Sequence, residues 1–146
     1  MARIGEHDFP EDRLYDVANQ VWYVPLEDGT ARAGFTPLSM TLAGDALVFT
    51  PKRTGKPFWR EKWFAMVECG KWIGAARAAF DGVLVDHNEA LVARPILLNR
   101  DAFGAGWMAI LKPDAANWRE GLATGSDLEP RMKAWLEAEA YRDRTD

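Results

Sequence analysis

Short apolar runs alternate with breaker-rich turns along most of the chain. Val21-Trp22-Tyr23-Val24 is β-branched and aromatic, and Glu27-Asp28-Gly29-Thr30 follows it as an Asp-Gly turn. Residues 31–35 return, so this stretch predicts a hairpin. Residues 13–16 predict a short edge strand, and the polar residues 1–12 a loosely ordered lead-in. Residues 46–49 give the next strand. Residues 63–68 and 73–80 give two more, joined by Cys69-Gly70-Lys71-Trp72. A second Asp-Gly turn, Asp81-Gly82, leads into 83–85, and residues 107–111 form the last strand before Pro113.

Helical signals are fewer. Thr36-Pro37 places a good cap before a residue favoured in the first helical turn, Leu38 and Leu42 would share a face, and Gly44 ends the helix. Asn88 caps a turn through Glu89-Ala90-Leu91, and Pro95-Ile96-Leu97-Leu98 predicts another. Near the C-terminus, Asn117 or a neighbour opens a short helix around Trp118-Arg119-Glu120. Ser126-Asp127-Leu128-Glu129 reads as a capping box before a longer helix. Leu128, Met132, Trp135 and Leu136 then fall on one face of that helix. The pattern as a whole predicts a mostly β barrel or sandwich with a small inserted helix and a C-terminal helix.

Composition narrows the picture. The chain has 146 residues, enough for one domain with a real core. Seven Trp point to dense packing or an aromatic contact surface. A net charge of −4 argues against nucleic acid as a partner. The basic loop 51–57 is the one place that could steer an acidic partner, although isolated charge runs mostly face water. A single Cys excludes an internal disulfide and a Cys-rich zinc site. No apolar run approaches the ~20 residues needed to span a bilayer, and the first residues lack a signal core, so the expectation is a cytoplasmic protein without membrane insertion.

Chemistry built into the chain is hard to find. His7 and His87 have no nucleophile near them in sequence, no ligand pair has metal-binding spacing, and the acids are scattered. The sequence therefore nominates no catalytic residue and no metal site. Gly104-Ala105-Gly106 lacks the third glycine and the βαβ setting of a phosphate loop. A Lys at a hairpin tip offers something else. Lys71 would project where a modifying enzyme can acylate it, leaving a long uncharged arm.

The residues around Lys71 resemble the lipoyl-attachment region of the glycine cleavage H-protein family. The likeness rests on Val67-Glu68-Cys69-Gly70-Lys71, on Gly82 eleven residues after the Lys, and on Asn88-Glu89-Ala90-Leu91. Trp22, Gly29-Thr30, Gly34-Phe35-Thr36, Gly44-Asp45 and Gly104-Ala105-Gly106-Trp107-Met108 extend it across residues 13–142. The resemblance implies a flattened lipoyl-domain barrel-sandwich hybrid over residues 13–146, after the 1–12 lead-in. It implies lipoate amide-linked to Lys71, with Glu68, Gly70 and Gly82 recognised during modification. It also implies a carrier with no active site of its own, served by a lipoate-attaching enzyme.

This sequence departs from the family at Cys69-Gly70-Lys71-Trp72 and in the apolar run from Ile73. That variant is similar to the lipoate-binding proteins of a heterodisulfide-reductase-like complex in sulfur oxidation. The resemblance then implies an arm carrying sulfur intermediates to that complex, with Cys69 as a candidate redox thiol and Trp72 and Ile73 as candidate docking residues. The alternatives are a divergent H-protein carrying an aminomethyl group for the glycine cleavage enzymes, and an unlipoylated binding relative.

Overall fold

The computed structural model describes residues 2–145, with side chains described through Glu139. Ten of its strands lie in order with three helices between them: β1 (Ala2–Ile4), β2 (His7–Phe9), β3 (Leu14–Asp16), β4 (Val21–Pro25), β5 (Ala31–Phe35), α1 (Pro37–Ala43), β6 (Ala46–Pro51), β7 (Pro57–Phe58), β8 (Trp63–Cys69), β9 (Ile73–Arg77), β10 (Gly82–His87), α2 (Glu89–Ala93) and α3 (Leu97–Arg100). The chain closes with β11 (Ala109–Pro113) and α4 (Leu128–Thr145). Six strands form one antiparallel sheet in the order β3-β4-β5-β11-β10-β7, and three form another in the order β6-β8-β9. The architecture is the mostly β sandwich with an inserted helix and a C-terminal helix that the pattern predicts.

Apolar side chains from both sheets fill the main core. Tyr23, Phe35, Leu84 and Leu111 come from the larger sheet and Phe49, Phe64, Val67 and Ala76 from the smaller. Each buried Phe, Leu or Val among them contributes roughly 1.5–3 kcal/mol. β4 is apolar on both faces because it separates two cores: Tyr23 faces the main one and Trp22 the second. That second cluster lies under β1, β2 and α4 and holds Ile4, Phe9, Tyr15, Leu38, Leu128 and Met132.

Several sequence expectations change here. The first residues are not a loosely ordered lead-in: β1 and β2 pair with Ala2 opposite Phe9, and Ile4 and Phe9 are fully buried against α4 and Tyr15. Leu42 does not share a buried face with Leu38; Met40 and Ala43 face the core and Leu42 is exposed. β9 stops at Arg77, where the chain crosses between sheets and Ala79 N–H donates to the Tyr23 hydroxyl at 3.1 Å. Residues around Trp118 form turns, not a helix, and Trp118 packs edge-on to Phe80. The capping box belongs to Thr124 and Asp127, two residues earlier than expected, around a short 3-10 turn ahead of α4.

Other local signals hold. Thr36 caps α1 through Ser39 N–H, and Asn88 caps α2 through Ala90 N–H. Gly44, after α1, has φ 84°, a conformation that favours glycine. No helix among the described residues is long and apolar enough to cross a membrane.

Candidate functional site

β8 and β9 meet in a two-residue turn, Gly70-Lys71. Cys69 N–H donates to the Trp72 carbonyl at 2.7 Å and Trp72 N–H returns to the Cys69 carbonyl at 3.4 Å. Neither turn residue has a positive φ, so this is not one of the primed turns common in two-residue hairpins. The turn is held from outside instead. Gly70 N–H donates to the Asp45 carbonyl at 2.9 Å and Lys71 N–H to the Ala43 carbonyl at 3.1 Å. The two amides are thus tied to the last residue of α1 and to the loop that follows it, and the Lys71 side chain projects from a fixed base into solvent.

That loop is itself clamped. Asn99, on α3, donates from Nδ2 to the Gly44 carbonyl at 2.8 Å and accepts from Ala46 N–H at Oδ1, at 2.9 Å. A side chain at Gly44 would also meet the Lys71 stem, its Cβ lying 3.5 Å from Lys71 Cγ. Sequence reasoning did not nominate Asn99 or Asp45. Nothing local marks them, because their partners lie in distant segments.

Around Lys71 the nominated residues divide. Glu68 and Ile73 are register partners on the exposed face of the small sheet, and Val48 pairs with Glu68 from the other side. Ile73 is 69% exposed. Trp72 is half-exposed, with its indole over Gly74 and edge-on to Phe35 at 6.0 Å. Trp72 thus packs on one side and is open to solvent on the other. Gly70 has open space where a side chain would start, so the fold does not require glycine there.

Cys69 and Gly82 sit elsewhere. Cys69 points into the main core, and burial pushes its thiol pKa up, away from the thiolate that exchange chemistry needs. Gly82 begins β10 beside Phe58, at the end of the sandwich away from Lys71. A Cβ on Gly82 would overlap the Lys112 carbonyl oxygen and approach Phe58 to 2.8 Å, so close strand packing accounts for this glycine.

A hollow of about 290 Å³ lies beside the lysine, between α1 and α4, with walls that include Ser39, Leu42, Trp72 and Trp135. An amide-linked acyl arm on Lys71 fits this setting: the amine is exposed, its backbone is anchored, and an apolar wall stands next to it. The remaining candidate chemistry is bound up in structure. His7 Nε2 lies 2.9 Å from the Thr41 hydroxyl and His87 Nε2 lies 2.6 Å from Glu89. No cluster of three potential metal ligands occurs among the described residues. The Gly104–Gly106 stretch supplies a carbonyl to the Asn88 amide, and Gly106 passes too close to the Leu97 carbonyl to carry a side chain.

Comparison with known proteins gives the family and the fold. The family model described as glycine cleavage H-protein matches residues 13–135. The chain is 40% identical over 116 residues to glycine cleavage system H protein 5 of Aquifex aeolicus, covering 77% of this chain and 78% of that one. It is 38% identical over 133 residues to H protein 2 of the same organism, covering 89% and 81%. Among solved structures, a glycine cleavage system H protein from Mycobacterium marinum superposes with a TM-score of 0.73 at 26% identity, covering 90% of this chain and 99% of that one.

Proposed function

The chain belongs to the glycine cleavage H-protein family, and from that premise we propose that it is a carrier whose arm is lipoate amide-linked to Lys71. The observation that carries this reading is the double anchoring of the turn. Two backbone hydrogen bonds from outside the hairpin fix Gly70 and Lys71, and the amine is left exposed. When bound, lipoate supplies a dithiolane that accepts and releases groups by thiol–disulfide chemistry. The protein's part is to position Lys71, to offer Glu68 and the open Gly70 to a lipoate-attaching enzyme, and to leave the arm free to reach partners. Gly82 serves that recognition indirectly, by shaping the strand crossing. Cys69 is a packing residue and takes no redox role.

The reading best supported for the cargo is an aminomethyl group passed among the glycine cleavage enzymes, since the relatives above carry that system's name. A second reading, carriage of sulfur intermediates to a heterodisulfide-reductase-like complex, draws on one observation. The departures at Gly70, Trp72 and Ile73 lie on the surface around the arm, and the fold does not demand glycine at 70 or an exposed isoleucine at 73. A changed surface on an unchanged fold is what a changed partner would produce.

Intact mass tests the attachment. Protein made alongside a lipoate-attaching enzyme should gain one lipoyl group, and Lys71→Arg should gain none while keeping its circular dichroism spectrum. An unmodified wild-type protein would sink the carrier reading. For the cargo, loading by glycine decarboxylase with glycine supports the first reading. Failure to load, together with added sulfur on protein from its native host, supports the second.

A further inference from the structure

The other end of β8 carries a second, differently made surface. At ~3.3 Å per residue, the β8 start at Trp63 lies about 20 Å from the Lys71 turn. Residues 51–63 hold Lys52, Arg53, Lys56, Arg60 and Lys62 against one acid, Glu61, in a chain of net charge −4. Glu61 is engaged aside: its carboxylate accepts from the Asn19 amide at 3.3 Å. Trp59 and Trp63 are 55% and 39% exposed. Lys52 Nζ lies 5.3 Å from the Trp59 ring centre and 5.0 Å from that of Trp63, and it donates to the Pro57 carbonyl at 3.2 Å. Two prolines, the two indoles and three of these cations, Lys52, Arg53 and Lys56, wall a hollow of about 470 Å³.

The core does not use this corner. Phe58 and Phe64 alternate inward on either side of it and are fully buried, while Trp59 and Trp63 are turned out. Leaving two indoles this exposed forgoes part of the burial that large apolar side chains usually gain. Aromatic and Arg side chains in a concave setting are what protein interfaces use as anchors. The hollow is shallow, and its mixture of cations and indoles suits an acidic segment that carries one apolar side chain. Five cations on an otherwise acidic chain are too few for a polyanion such as nucleic acid.

We propose that this corner docks an acidic segment of a partner protein, its carboxylates meeting Lys52, Arg53 and Lys56 and one apolar side chain of that segment lying in the hollow against the exposed parts of Trp59 and Trp63. Docking here holds the partner at the end of the sandwich away from Lys71 and leaves the arm unobstructed. The proposal does not depend on lipoate, so it stands or falls separately from the carrier reading.

The test is fluorescence anisotropy of a labelled peptide of alternating Glu and Asp with one central Phe, titrated with the full chain. Binding should saturate and weaken with salt. It should fall by about tenfold in the double variant Arg53→Glu, Lys56→Glu, which removes rim charge, and by at least about fivefold in Trp59→Ala. Lys71→Ala should bind as the wild type does, and a peptide without Phe should bind several-fold more weakly. Absent saturation, equal affinity in all variants, or equal affinity for the Phe-free peptide would overturn the proposal. So would tighter binding to phosphatidylglycerol vesicles or to a single-stranded oligonucleotide than to the peptide. Circular dichroism of each variant separates lost binding from lost fold.

Discussion

The indole of Trp72 occupies the space above the Gly74 α-carbon that any side chain at 74 would need. Trp22 does the same over its cross-strand partner Gly34. In both pairs the glycine makes room for a ring, so the Trp and the Gly must be read together. Gly74→Ala should expel Trp72 from its seat against Phe35. The expected result is a loss of about 1–3 kcal/mol in urea unfolding and a red-shifted, more quenchable Trp emission. The double variant Gly74→Ala, Trp72→Ala should recover most of the loss, because the overlap is gone.

Gly82→Ala tests whether this glycine is recognised directly or acts through packing. Overlap with the Lys112 carbonyl and with Phe58 should destabilise the fold by about 1–3 kcal/mol. Lipoate attachment at a temperature where the variant remains folded should stay near the wild-type rate. A folded Gly82→Ala protein that is not modified would restore the direct role.

Asn99→Ala removes both bonds that clamp the loop between α1 and β6. Leaving Ala46 N–H and the Gly44 carbonyl without their partner should cost about 1–3 kcal/mol. The clearer readout is local. Amide exchange at Gly70 and Lys71 should speed up, since their acceptors lie in the freed loop and at the end of α1 that leads into it. Asn99→Asp keeps the acceptor for Ala46 N–H and loses the donor to Gly44, so its effect should be partial on exchange at Gly70.

Cys69 gives a pH prediction. Its thiol pKa is raised in the folded protein by burial. The folded thiol therefore keeps its proton where the unfolded thiol, at about 8.5, has lost it. This contribution to stability is intact below that range and declines as pH rises through it. Comparing urea unfolding at about pH 7 and about pH 10, the wild type should lose more stability than Cys69→Ala. Alkylation by iodoacetamide in the native state should be slow at neutral pH and should accelerate in urea.

The N-terminal hairpin should matter to the opposite end of the chain. Ile4 and Phe9 are buried with Leu128 and Met132 of α4. Ile4→Ala should cost about 2–5 kcal/mol, and Phe9→Ala about 3–5 kcal/mol. If residues 2–9 only decorate the surface, their deletion would leave the thermal melt and the helical signal of α4 unchanged.

Some of this protein was written locally. Asp28-Gly29, Thr36-Pro37 and Asn88 each specify a turn or a cap through bonds made within a few residues, and the structure forms all three where the sequence places them. The hairpin bearing Lys71 is also local, since two strands of suitable residues flank a short polar break. The failures share a cause. The lead-in reads as loose because Ala2, Ile4 and Phe9 mean little without α4, more than a hundred residues away. The expected cap at Ser126 lost to Thr124, whose box forms beside the bridge between Tyr15 and Ala123.

The sequence by itself determined the mostly β pattern, the turn that exposes Lys71 and the neighbours in which this chain departs from its family. Only the tertiary structure decided which of those neighbours face the arm. It turned Cys69 into the core, carried Gly82 to the far end of the sandwich, laid Trp72 over Gly74, and brought Asp45 and Asn99 to the turn. The physical reason is range. Caps and turns are satisfied by bonds to nearby backbone, which a local reading of residues can follow. Burial and the anchoring of a loop depend on which distant segments meet across the core, and no short window of sequence contains both partners.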